Sequence, residues 1–255
     1  MKGLFTGFSS YGQAYRLISG LRLWRYALAP AIISILLAIG IGLAAWGWSD
    51  DLGEQIVALY PWEKGLSFVE SASDIIAAVL IVAIGFIVFK NLVLAFSSPF
   101  MSILSEKVER HLNQDYREVE MTVQSFVSDL IRGLRIALRL LVRELFYSAL
   151  LILLGLIPIF SPFVAIALFL LQSLYAGYGN LDFVLERHGR VRESVQFLNN
   201  HKGLALGNGV IYLLMLMSII LFAVALPLAT VAGTVGALKY LPAPATTVNE
   251  PSPHV

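Results

Sequence analysis

The chain has 255 residues, of which 58% are hydrophobic and 14% charged, with a mean hydropathy of +0.77. Soluble domains carry about a quarter charged residues, so the composition excludes an ordinary soluble fold and predicts one integral membrane domain over 1–241. A formal net charge of +1 gives no global pull toward nucleic acid, and the absence of cysteine excludes disulfides and thiolate metal sites.

Residues 3–20 carry Phe5, Phe8, Tyr15 and Ile18 at helical spacing, which predicts a short interfacial helix lying on the membrane and broken by Gly20. Arg16, Arg22 and Arg25 come late and lead straight into an apolar run, unlike the basic start of a cleavable signal peptide. Residues 26–48 are long enough, at about 1.5 Å per residue, to cross a hydrocarbon core of about 30 Å. Trp46 and Trp48 at the far end suit the headgroup level. The acidic connection 49–74 is followed by a second full span over 75–96. Basic residues before the first span and acids after it put the N-terminus on the cytoplasmic side. Lys90 then falls near the inner face, where its stem can snorkel.

After Ser97-Ser98-Pro99-Phe100 the chain turns polar, and 101–125 reads as an amphipathic cytoplasmic helix with Glu106, Lys107, Glu109 and Arg110. A second amphipathic helix follows, with Arg132, Arg135, Arg139 and Arg143 on one face. Burying one arginine at mid-bilayer costs about 2.5–3.5 kcal/mol, so the four together oppose burial by roughly 10 kcal/mol. The stripe stays at the interface. Two apolar arms, 145–160 and 163–179, flank the Pro158–Pro162 reversal, each at or below the roughly 17 residues a spanning helix needs. They predict a hairpin that enters and returns, because the loop 180–203 is again basic; two tilted spans give the same sidedness. The block 204–240 predicts a second shallow hairpin breaking near Pro227 or Gly233. The Pro-rich tail 242–255 reads as disordered and cytoplasmic.

The fold class expected is therefore all-α integral membrane: two full transmembrane helices, two partly penetrating (re-entrant) hairpins and amphipathic cytoplasmic helices. Arg22 and Arg25 sit where a helix begins, so they fit either an oxyanion site or simple anchoring to anionic lipid. The Arg132–Arg143 stripe fits lipid headgroups or a basic vestibule that concentrates anions. Glu106, Glu109 and Arg110 fit a polar gate or a solvated helix face. Asn208, between Gly207 and Gly209, fits close helix packing. His111, His188, His201 and His254 are scattered without metal spacing, and no nucleophile motif or phosphate cradle is present. No enzyme activity, metal or cofactor is expected.

Several stretches resemble one known family: LRLWRYALAP before the first span, SSPFMSILSEKVE after the second, the IPIFSPF break, and YGNLDFVLERHGRVRESVQFLNNHKGLALGNG beyond it. Their order and spacing are similar to the CysZ and etoposide-induced-protein membrane proteins. The resemblance implies an oligomeric inner-membrane protein, with sulfate as the ligand of its characterised bacterial branch. It also implies an anion site in a Gly-containing turn with two adjacent arginines. Arg25 occupies the second of those positions and Trp24 the first, with Arg22 one turn earlier. The expectation is an oxyanion permease whose homo-oligomer builds a path between subunits in contact with membrane lipid; a non-transporting membrane-shaping scaffold is the alternative.

Overall fold

The structure, a computed structural model, describes residues 2–58, 67–113, 122–155, 159–189, 191–218 and 220–241; of these, 42, 44–58, 67–84, 123, 125, 129, 161 and 191 are described by backbone alone. The described residues form eight helices and no strand: α1 (Lys2–Gly20), α2 (Trp24–Ala58), α3 (Ser67–Leu112), α4 (Val123–Gly155), α5 (Ser161–His188), α6 (Val191–Asn200), α7 (Lys202–Met217) and α8 (Phe222–Leu238). Only helices or closed barrels satisfy every backbone donor and acceptor in lipid, and the apolar composition leads to the first solution. Among the described residues, α2 over Trp24–Ile41, α3 over Gly85–Leu112 and α5 over Pro162–His188 are long and apolar enough to cross a membrane. The tail 242–255 lies outside the described residues.

Several predicted boundaries move. The polar turn expected at Pro99 is absent, and α3 runs straight through it for 46 residues. A proline has no N–H to offer the carbonyl four residues back, here Ala95. Ser98 replaces that bond, its Oγ donating to Ala95 O at 2.8 Å. The arginine helix and the first apolar arm are one continuous helix, α4. The second arm continues as α5 through residues 180–188, which sequence alone placed in a loop. The last block breaks between the end of α7 at Met217 and the start of α8 at Phe222 rather than at Pro227 or Gly233, both of which lie inside α8.

Packing inverts the expected role of the last block. Every residue of α8 from Ala225 to Ala237 is buried, and α1, α2, α3, α5 and α7 all pack against it. A helix apolar on all sides belongs at the centre of a bundle, so this segment is the core. The first helix also differs from expectation. Its inward face is Gly7, Ser10, Ala14 and Ile18, while Phe5 and Tyr15 are exposed at 69% and 58%. An added Cβ at Gly7 would stand 2.7 Å from Leu204 O, so small residues let α1 dock on α7.

The closest approach joins α5 and α7. A Cβ at Gly209 would lie 1.7 Å from Ser173 O, and one at Gly177 1.8 Å from Ala205 O. Asn208 packs in the same seam as expected and adds hydrogen bonds: Asn180 Nδ2 donates to its Oδ1 at 2.9 Å, and its Nδ2 donates to Ala229 O at 2.9 Å. The outer surface is apolar instead. Leu28, Ile32, Leu36, Ile39 and Leu43 are exposed on α2, and Leu134, Leu138, Val142, Phe146, Leu150 and Leu153 on α4. Such continuous apolar faces mark contact with lipid or another protein.

These contacts order the glycines by tolerance. Gly177→Ala and Gly209→Ala push a methyl into a facing carbonyl and cost about 1–3 kcal/mol. Gly12, with open space at its Cβ, gains up to about 1 kcal/mol of helix propensity as alanine. Thermal unfolding of the detergent-solubilised protein checks the ordering; equal midpoints for all three variants refute the close approach.

Candidate functional site

The turn between α1 and α2 places the two arginines first considered. Leu23 N donates to Ile18 O at 2.9 Å and Arg22 N to Ser19 O at 3.3 Å, the paired bonds of a Schellman helix ending. That motif needs a left-handed residue, usually glycine. Here the residue is Arg22, with φ 54° and the only positive φ of any non-glycine among the described residues, whereas Gly20 still belongs to α1. Left-handed backbone costs an L-residue about 1–2 kcal/mol. The turn thus holds a strained arginine immediately before the amino end of α2.

Arg22 and Arg25 are both exposed. The Arg25 guanidinium lies 4.9 Å from the Tyr26 ring centre, and Lys107 Nζ of α3 lies 5.5 Å from the same ring. Tertiary packing therefore brings a third cation to the turn, one that nothing in the local sequence connects to it. Trp24, in place of an arginine, packs edge-on against Tyr15 at 6.2 Å and donates from Nε1 to Ser19 Oγ at 3.3 Å. The unsatisfied amides and dipole at the start of α2 add positive potential. The arrangement can accept an oxyanion from solvent.

The residues grouped as a vestibule or gate separate into four settings. Glu109 is fully buried and accepts from Arg187 Nε at 3.0 Å and Nη2 at 2.9 Å, and pairs with His188 Nε2. Arg187 continues inward through Nη2 to Ser105 Oγ at 2.7 Å, and Ser105 meets Thr234 Oγ1 of the central helix at 2.7 Å. Glu106 and Arg110 pair along α3 at 3.0 Å. Arg132 turns toward α5, 3.1 Å from Glu186 and 3.9 Å from Asp182. Arg135, Arg139 and Arg143 remain exposed on the outer face of α4. Sequence reading missed Arg187, His188, Asp182 and Glu186 because it placed them in a loop. Their i, i+4 and i, i+5 spacing becomes informative only once α5 is extended.

The largest departure concerns Lys90. Instead of snorkelling, it is 3% exposed and donates to Glu144 Oε1 at 2.5 Å, with Glu144 itself 0% exposed. Lys90 Nζ also donates to Gln172 O at 3.3 Å, and Asn91 Nδ2 donates to Glu144 Oε2 at 3.2 Å. Three helices meet in this pair: α3, α4 and α5. Glu144 follows directly on Arg143, about 100° further round α4, and is buried where Arg143 is exposed. That change of face was the available signal.

No group of three histidine, cysteine, aspartate or glutamate side chains suited to a metal occurs among the described residues. Lipid-length apolar helices, apolar outer faces and ion pairs buried between helices define an integral membrane protein. Over residues 10–234 the chain matches the family described as sulfate transporter CysZ/etoposide-induced protein 2.4. It belongs to that family.

The buried pair has a measurable signature. Removing one partner strands a charge in the bundle and costs about 3–5 kcal/mol, whereas replacing both with apolar residues of similar size is close to neutral. Glu144→Met therefore lowers thermal stability strongly, and adding Lys90→Met restores most of the loss. Additive losses in the double variant contradict the pairing.

Proposed function

We propose that this protein is an oxyanion permease of the inner membrane, with sulfate as the first substrate to test, working as a homo-oligomer. The observation that carries the reading is the α1–α2 turn. Strained backbone persists where surrounding structure holds it, and it concentrates at functional positions. Arg22 in left-handed geometry, Arg25 in the first turn of α2 and Lys107 nearby supply fork and point donors for a tetrahedral oxyanion. The family description names a sulfate transporter, which directs the choice of anion.

In this reading α2 and α3 cross fully, α4–α5 and α7–α8 enter as hairpins, and both termini face the cytoplasm. The helix α5 is long enough to cross, but Asp182, Glu186, Arg187 and His188 occupy its last turns. Charged side chains at that density belong near an aqueous boundary, which in this reading puts that end of α5 at the cytoplasmic face. Arg135, Arg139 and Arg143 on the exposed face of α4 lie where anionic headgroups or an entering anion collect.

One observation favours a second reading. The exposed apolar stripe Leu134, Leu138 and Val142 runs beside the exposed arginines Arg135, Arg139 and Arg143, the pattern of a helix that wedges into a leaflet. A non-transporting membrane-shaping protein would use the same face.

Purified protein in liposomes distinguishes them. The permease reading expects downhill uptake of labelled sulfate, with affinity falling about tenfold or more in Arg25→Ala through loss of a charge-assisted contact. Arg22→Gly separates fold from function: relief of left-handed strain stabilises the turn by about 1 kcal/mol, while sulfate affinity falls. No uptake, together with binding that increases with vesicle curvature, selects the second reading.

A further inference from the structure

Two cavities lie on one seam. A void of about 10 Å³, room for a single water, is lined by Leu94, Ser98 and Ser102 of α3, Gly133 of α4, and Asp182 and Glu186 of α5. A larger cavity of about 190 Å³ is lined by Ile87 of α3, Leu145, Ser148 and Ile152 of α4, and Leu168 and Gln172 of α5. The same three helices form both. In sequence Lys90 falls between the two linings on α3 and Glu144 between them on α4, while Gln172, whose carbonyl accepts from Lys90, lines the larger space.

We propose that the Lys90–Glu144 pair is a counter-ion gate on an anion path through the α3–α4–α5 seam of one protomer. Lys90 is the binding group for an oxyanion at membrane depth, and Glu144 fills that position when no anion is present. The proposal rests on the permease reading for its substrate and adds the route and the gate. It also moves the route from the subunit boundary expected from sequence to the interior of a single chain.

Four observations carry it. The ammonium has three donors, and the two bonds it makes go to Glu144 Oε1 and Gln172 O. Glu144 keeps a second partner, Asn91 Nδ2, so the carboxylate is still held when Lys90 turns to another anion. The larger cavity contains a polar atom without a partner: Ser148 Oγ, in a residue only 2% exposed, one helical turn beyond Glu144. Gln172 belongs both to the pair, through its carbonyl, and to the wall of that cavity. An orphan hydroxyl and an amide side chain line one space, and Lys90 is bonded to the carbonyl of a residue in its wall; together they supply donors for an anion. The apolar remainder of the wall keeps water out until one arrives, as hydrophobic constrictions do in channels. A lone structural pair explains neither the orphan hydroxyl nor the voids on both sides.

The chain contains no cysteine, so single thiols report access cleanly. In proteoliposomes of the full chain, Ser102→Cys in the smaller space and Ser148→Cys in the larger one are exposed, from the side that modifies Ser102→Cys, to a methanethiosulfonate bearing a sulfonate. With the pair intact, only Ser102→Cys reacts. Glu144→Gln frees Lys90 and accelerates modification of Ser148→Cys about tenfold or more. Lys90→Met with Glu144→Met keeps the helices together without either charge and leaves Ser148→Cys protected. Equal reactivity of Ser148→Cys with and without Glu144, continued protection in Glu144→Gln, or failure of Ser102→Cys to react from either side overturns the gate.

Sulfate flux is measured on the same vesicles. Flux rising in Glu144→Gln and vanishing in the double variant supports both proposals. The labelling pattern without any sulfate flux keeps the gate and removes sulfate. Wild-type flux without the labelling pattern keeps the permease and removes the gate.

Discussion

Helices in lipid gain little from apolar contact with each other, because the surrounding acyl chains are as apolar as leucine. Close backbone approach and interhelical hydrogen bonds must supply the association instead, and this bundle is organised by such contacts. Gly177 against Ala205 and Gly209 against Ser173 bring α5 and α7 within backbone distance, and Gly7 does the same for α1 on α7. Asn208 sits in the middle of that seam, bonded to α5, α8 and, through Tyr11 Oη donating to its carbonyl at 2.7 Å, to α1. Large apolar side chains occupy the interior, among them Ile18, Met101, Leu104 and Leu213, and the outer surface as well. The apolar exterior follows from the solvent being hydrocarbon.

With α1, α5, α7 and α8 locked in this way, α3 and α4 are positioned by polar pairs. Lys90–Glu144 ties α3 to α4 at one level; Arg132 with Asp182 and Glu186 ties α4 to α5 at another. Glu109, Arg187 and His188 tie α3 to α5 beside the second level, and Ser105 carries that cluster to Thr234 of the central helix. Charge pairs in a low-dielectric interior contribute more to a unique arrangement than to stability, since desolvation offsets most of the attraction. Such pairs can exchange partners when an ion enters.

The α1–α2 turn combines the same two themes. Its Schellman geometry would be satisfied at no cost by glycine, and one stands only two residues earlier, at Gly20. The left-handed position instead holds Arg22, next to the amino end of a long helix, with Lys107 brought in from α3. Positive charge is thereby gathered from three places in the chain, where a helix dipole already favours an anion.

Much of the fold was legible in residue order. Membrane embedding, apolar helices of spanning length at α2 and α3, the packing role of Asn208 and the family resemblance all depend on local hydrophobic length, local charge and short motifs, each a property of neighbouring residues. What failed was whatever depends on the other side of a contact. Pro99 reads as a break until Ser98 is seen to serve the carbonyl that proline abandons. Pro227 and Gly233 read as hinges until α8 is found enclosed by five helices. Lys90 reads as a snorkelling cation because its partner lies 54 residues away on another helix. Lys107 joins the basic turn for the same reason. The sequence by itself determined that this chain enters lipid as helices, since that follows from transfer free energy summed along a segment. Only the tertiary structure decided which helix is central and which charges are paired, because burial and pairing are properties of two surfaces meeting.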